Sequence, residues 1–393
     1  MRSVEGKSNA AGIRWRDGKI EWLGLILKPI FDHKDKYGVE THALAAKVKF
    51  VRLVRKVIKG QERWYAQLVL AGQPKQKAKN IIGSQTVGLD LGPSTIAIVG
   101  EKEASLEVFS AELTESSRDI LKEQTKVCWR IERRIERSRR ATNPDNYEPD
   151  FIAQKGGRIV KKKGKVKKGA KKWIRSNNYH RLQACLAEKK RVLAETRNRL
   201  HGELVNRVIK IGCEVKTEKL SYKAFQRRWG KAVGMRAPGM FISKLRRKAE
   251  NAGGELIEFS TGKTKLSQYC HGCGQYVKKP LSQRVHQCGC GVGPVQRDLY
   301  SAFLACHVVD DCLDSHQAQK AWSGAGPLLG HALSRCEQVA IGGSRPASLG
   351  LSDLRQSGSY VKDKLAVGKT TDVVRIASLS PRAVEKQLSL KVC

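Results

Sequence analysis

The sequence predicts an α/β protein: a mixed sheet carrying helices, with a small cysteine-stapled insert and a β-rich start. Three observations predict it. TVGLDLG and STIAIVG are short apolar runs punctuated by Gly and Pro, the length of central strands. Two long segments of helical periodicity separate them from further apolar runs, GCEVKTEKL and GELIEFS. Four cysteines then stand in two close pairs. At 393 residues and 40% hydrophobic, the chain has material for two or three domains with a sizeable core.

Taken in order, IRWRDGKIEW alternates Ile13, Trp15 and then Ile20, Trp22 about Asp17-Gly18, which predicts a hairpin. KVKFVRLVRKVI and RWYAQLVLAG read as a second strand pair joined through Lys59-Gly60-Gln61-Glu62. Residues 1-84 are thus expected to form a basic β-barrel-like domain that ends in a polar linker from 73 to 84. After Gln85, TVGLDLG, STIAIVG and SLEVFSAEL give three strands, and a helix runs from about Ser116 to Arg140. NPDNYEPD breaks it, and KKKGKVKKGAKK reads as a flexible low-complexity loop. A second helix covers about Asn178 to Ile211, then the strand GCEVKTEKL. Pro238 opens the amphipathic helix GMFISKLRRKAENA, which Gly253-Gly254 ends before the strand GELIEFS. QRDLYSAFLACHVV is the last helix of the series. Three strands, helix, strand, helix, strand, helix is the order of a ribonuclease-H-like mixed sheet. The expected divisions are 85-262 for this core with its Arg-rich helix and Lys-rich loop, 263-294 for the cysteine module and 295-310 for the last helix. Residues 311-393, Gly/Ser-rich with weak periodicity, are expected to be a poorly ordered tail.

Charge narrows the function. Lys+Arg 75 against Asp+Glu 37 leaves a formal +38 at pH 7 and a pI near 10.0. The excess lies almost wholly before residue 307, and residues 151-200 alone hold 17 basic and 2 acidic side chains. So broad a bias predicts a polyanionic partner, nucleic acid ahead of an anionic membrane surface. The first thirty residues show no signal peptide, and WLGLIL is too short to span a bilayer. With 11 cysteines, four of them in metal-type pairs, a reducing cytoplasm is the expected compartment.

Cys270-x2-Cys273 and Cys288-x-Cys290 sit on Gly-containing turns, HGCG and CGCG. Two thiolate pairs so placed can close a tetrahedral, structural Zn²⁺ site, a zinc ribbon. The alternative is four ordinary buried cysteines. His271 and His286 are possible substitute ligands, but are expected rather to face solvent.

Three acids end or open core elements. Asp90 ends the run TVGLD, Glu218 closes EVKTE, and Asp298 opens the helix DLYSAFLA. Singly, each has a simpler reading: a turn cap, a solvated strand end, a helix N-cap. Together they suit a pair of Mg²⁺ ions, because carboxylates from adjacent strands can hold two hard cations about 3.5–4 Å apart against a phosphodiester. In WRIERRIERSRR, Arg130, Arg133, Arg134 and Arg137 share one helix face. That face suits phosphates, and equally a solvated surface of intrahelical ion pairs with Glu132 and Glu136. The adjacent Lys161, Lys162, Lys163, Lys167 and Lys168 favour contact with RNA or a heteroduplex. Trp173 and Tyr179 beside this segment can stack on bases or pack at helix starts.

The ordered set GLDLGPSTIAIV, VKTEKLSY, CHGCG…CGCG and VQRDLYSAFLA resembles the transposon-encoded TnpB (OrfB-type) proteins with a RuvC-like nuclease core, relatives of type V CRISPR effectors and of Fanzor. The resemblance covers roughly 85–307. It implies that Asp90, Glu218 and Asp298 are the carboxylates of a Mg²⁺-dependent endodeoxyribonuclease and that Cys270, Cys273, Cys288 and Cys290 bind zinc. It further implies RNA-guided DNA cleavage, with a guide RNA from the transposon end and target DNA as partners and no membrane. Two departures stand out. Only 89 residues precede Asp90, shorter than the family's β domain with its helical insert, which raises the alternative of a truncated, cleavage-deficient RNA-guided DNA-binding protein. Tyr300 stands where the family's third motif more often has Asn, while Arg297 and Asp298 match. A plain basic RNA binder with a zinc ribbon is a third reading. No His-x-His plus Tyr set of a single-strand transposase is present.

Overall fold

The computed structural model describes residues 2–339, other than 32, 33, 76–80, 115, 117, 156, 171 and 281. The described chain divides into two compact units. The first comprises the described parts of Met1–Val108, Val205–Tyr222 and Pro238–Cys393; the second, those of Phe109–Leu204 and Lys223–Ala237.

The first unit begins with β1 (Arg2–Glu5), β2 (Arg14–Arg16), β3 (Lys19–Trp22), β4 (Leu25–Leu27), the short helix α1 (Val39–Leu44), β5 (Val48–Ile58) and β6 (Gln61–Leu70). They form two three-stranded sheets, β2-β3-β4 and β1-β5-β6. The Asp17-Gly18 turn is left-handed at both positions, with φ of 47° and 73°, the backbone a two-residue hairpin needs. Lys59-Gly60 repeats it, so the β5–β6 turn is two residues rather than the four the sequence suggests. Ile13, Ile20, Val51, Leu53 and Leu68 close a core between these strands.

The central sheet follows with β7 (Gln85–Leu91), β8 (Thr95–Val99) and β9 (Ala104–Val108). After an excursion of about a hundred residues it resumes with β12 (Gly212–Glu218) and β13 (Glu255–Phe259). The strand order is β13-β12-β7-β8-β9. β7, β8 and β9 pair antiparallel, while β12 runs parallel to both β7 and β13. All five residues of β8 are buried, as a central strand covered on both faces requires. Helix α7 (Arg297–Cys306) crosses β7, and Gly88 makes that approach possible because a Cβ there would strike the Ala302 carbonyl.

The excursion belongs to the second unit. It holds α2 (Ile120–Thr142), the hairpin β10 (Phe151–Lys155) and β11 (Arg158–Lys162), most of α3 (Asn177–Ile211), and later α4 (Tyr222–Arg236). Asp119 caps α2 by accepting from the backbone N–H groups of Leu121 and Lys122. Cys128, Ile131 and Ile135 of α2 pack against Leu182 and Leu186 of α3. The Lys-rich stretch corrects the flexible-loop expectation. Lys161 and Lys162 lie in β11, and the chain after them is laced to 146–150. Glu148 N–H donates to the Lys165 carbonyl, Lys167 N–H to the Asn146 carbonyl, and Gly164 N–H to Asp150. The low-complexity composition hid these bonds because two of the three run from backbone to backbone.

Helix α5 (Pro238–Asn251) precedes β13, and after β13 come the short α6 (Thr261–Thr264) and the two-residue strands β14 (Val285–His286) and β15 (Val295–Gln296). The expected disordered tail is also corrected at its start. Residues 315–339 form helix α8 (Ser315–Val339), whose Ala318, Leu329, Ala332 and Leu333 are buried in the main core beside β9 and α7. Gly324, Gly326, Pro327 and Gly330 dilute its periodicity, which is why the sequence reads as loose. Residues 340–393 lie outside the described residues. Among those described, no helix is long and apolar enough to cross a membrane.

Candidate functional site

The sheet topology brings the three acids together. Asp90 is the sixth residue of β7 and Glu218 the last of the neighbouring β12, one step beyond the Thr217–Leu89 register pair. Thr217 locks that register by donating its hydroxyl to the Leu89 carbonyl at 3.2 Å. Asp298 lies in the first turn of α7, the helix seated on β7. Asp90 and Glu218 are half-buried and Asp298 is buried.

Their electrostatics are mutual. Burial pushes Asp90 well above the usual carboxylate range, and the charges of Asp298 and Glu218 push further, while Arg297 and Arg284 pull it back. Burial likewise pushes Glu218 up to about 7, against a hydrogen bond from the Thr261 hydroxyl. Two guanidinium groups border the cluster: Arg297 Nε lies 3.5 Å and Arg284 Nη1 3.8 Å from Asp298 Oδ1. Arg297 is itself fixed by a 2.9 Å bond from Nη1 to the Gln283 carbonyl. Three carboxylates are an all-oxygen donor set, the kind that suits a hard divalent cation.

The four cysteines form a separate cluster whose Sγ atoms all lie within 4.8 Å of one another. Cys270–Cys290 and Cys273–Cys288 are each 3.5 Å apart, far beyond a disulfide bond and near the ~3.8 Å edge of a tetrahedron with Zn–S of about 2.3 Å. The set could hold a zinc ion. Burial pushes the Cys270 thiol up to about 12, whereas the Cys290 backbone N–H beside Cys288 draws its thiol down to about 7. His271 and His286 correct their expectation of solvent exposure: both are 2% exposed and pack against the Tyr300 ring.

In the second unit, Arg130, Arg133, Arg134 and Arg137 are exposed on α2, opposite its buried stripe. The acids expected to neutralise them pair elsewhere, Glu132 with Lys190 and Glu136 with Arg139 and Arg140. Lys161, Lys162, Lys163, Lys167 and Lys168 are exposed, with Lys163 bonded to Asp150. Trp173 packs edge-on against Tyr147 with Arg139 over its ring at 4.9 Å, and Tyr179 packs beside the α2–α3 core, so both serve packing. Sequence reasoning missed Arg284 and Thr261. Arg284 precedes a two-residue strand with no periodicity to flag it, and Thr261 matters only because β13 pairs with β12.

No protein-family model matches the chain, and no curated protein matches it. Among solved structures the chain is similar to Cas12f1 in a complex with sgRNA and target DNA, at 13% identity and a TM-score of 0.42, over 70% of this chain and 48% of that one. It is also similar to CRISPR-Cas12f in a ternary complex, at 16% identity and a TM-score of 0.35, over 71% and 51%. The chain spans about half the length of these proteins.

Proposed function

We propose that this chain is a divalent-metal-dependent DNA endonuclease with a RuvC-like site, directed to its target by a guide RNA of a transposable element. The observation that carries the reading is the register that sets Asp90 of β7 beside Glu218 of β12, with Asp298 in the first turn of α7, the helix packed on β7. The strand order and directions of the central sheet support a ribonuclease-H-like core. The guided, transposon-encoded part of the reading rests on the ordered motifs that resemble TnpB and on the basic excess.

Asp90, Glu218 and Asp298 would hold the Mg²⁺ ions, whose chemistry when bound would be to activate a water and neutralise charge on the scissile phosphate. The protein's own groups prepare that step. Burial raises Glu218 to about 7, so a cation bound there would compete with its proton and metal affinity would rise with pH across 7. Arg284 and Arg297 put positive charge at the rim of the acidic cluster, where a phosphate approaches. Cys270, Cys273, Cys288 and Cys290 hold structural zinc, and the Arg face of α2 with Lys161, Lys162, Lys163, Lys167 and Lys168 holds RNA or heteroduplex backbone. Sequencing RNA that co-purifies with the protein should return one discrete transposon-end species. Asp90→Ala, Glu218→Ala and Asp298→Ala should each abolish Mg²⁺-dependent cleavage of a matching target while RNA binding persists. Parental-rate cleavage by Asp298→Ala would overturn the site.

A further inference from the structure

Tyr300 is fully buried, two residues after Asp298 in α7, and it touches both halves of the cysteine module. Its hydroxyl oxygen accepts the backbone N–H of His271 at 3.0 Å and lies 2.8 Å from His271 Nδ1. His271 directly follows Cys270. The Tyr300 ring stacks on His286, two residues before Cys288, at 4.1 Å between centroids and 25° between planes. On its other side it meets Trp322 of α8 edge-on at 5.7 Å. A second fastening precedes Asp298. β14 pairs with β15, and Arg297 N–H donates to the Arg284 carbonyl at 2.8 Å. The turn that carries Asp298 is therefore held on both sides by the module that the cysteines close.

We infer that Tyr300 is a positioning residue that couples metal loading at the four cysteines to the placement of Asp298 in the carboxylate cluster. The inference rests on the nuclease reading above and deepens it. With zinc bound, the knuckles present His271 and His286 to Tyr300 in one arrangement, and α7 is fixed from its second residue onward. Without zinc the two knuckles are free to separate, Tyr300 loses both partners, and Asp298 is no longer held against Asp90. Linkage makes the coupling reciprocal: the cluster binds divalent cations more tightly when the cysteines are loaded.

The test is Mn²⁺ titration of the full chain, followed by electron paramagnetic resonance, with zinc content and melting temperature measured alongside. Tyr300→Phe, which keeps the ring and removes the hydroxyl, should weaken Mn²⁺ binding about tenfold at unchanged zinc content, the scale of other outer-shell substitutions. Saturating Mn²⁺ should then restore cleavage, which a general loss of folding would not allow. Removing zinc from the unsubstituted chain should weaken Mn²⁺ binding by a similar factor, and this second measurement stands if Tyr300→Phe does not fold. Equal Mn²⁺ affinity in the zinc-loaded, zinc-free and Tyr300→Phe proteins overturns the coupling alone. Mn²⁺ binding that is absent, or indifferent to Asp90→Asn, overturns the coupling together with the nuclease reading.

Discussion

Glu218 ends β12 beside Asp90, where burial favours its protonated form. Its carboxyl rises from an ordinary value of 4.5 to about 7, so the folded chain keeps a proton that the unfolded chain releases over this interval. Stability contributed by that proton is fully present below 4.5 and is lost as pH climbs through about 7. The melting temperature of the metal-free protein should therefore fall between pH 5 and 8. Glu218→Gln should flatten the decline, and Mg²⁺ should raise the melting temperature more at pH 8 than at pH 5. A flat profile in the parental protein would remove a buried, proton-holding Glu218 from the account. At this scale the three acids stand out in the sequence because Asp90 and Glu218 lie at the ends of strand-like runs and Asp298 opens a helix. The burial of His271 and His286 is not announced by the local sequence, which gives no sign that α7 packs on both and α8 on His271.

Helix α8 shields β9, the edge strand of the central sheet, and Arg335 donates to the Ala104 carbonyl at that edge. Leu333→Ala removes a side chain that is 4% exposed and should cost about 2–4 kcal/mol in denaturant unfolding. An effect within experimental error would mean that the helix is not docked. Gly88→Ala places a methyl group against the Ala302 carbonyl and should cost about 1–3 kcal/mol while also reducing cleavage, because α7 carries Asp298. Strands and hairpins were readable at this scale from period-two alternation and turn residues. Helix α4 was not assigned, since Gly230 and Gly234 interrupt its pattern and Trp229 departs from helical geometry at φ −125° and ψ 36°. Cys273→Ser should lower zinc content and melting temperature together, and a metal-free variant that melts like the parent would deny the ribbon its structural role.

The whole molecule carries +38, and its charge sets the salt response. Nucleic-acid affinity should fall linearly with the logarithm of salt concentration. Replacing Arg130, Arg133, Arg134 and Arg137 together by Ala should reduce that slope by about 3–4 if each meets a phosphate. An unchanged slope would return the face to plain solvated surface. Charge and motif order were visible in the sequence from the start. The division of the intended core into two compact units was not, because it depends on which distant segments pair.

That pairing also governs how the protein is born. Leu89 and Thr217 are bonded neighbours 128 residues apart, so at ordinary translation speeds β7 waits roughly ten seconds for β12 to leave the ribosome. Through that interval the nascent β-meander keeps an uncovered edge, while much of the intervening segment can already pack upon itself. A polypeptide released before residue 212 would be left with that sticky border and should aggregate rather than accumulate as a harmless fragment.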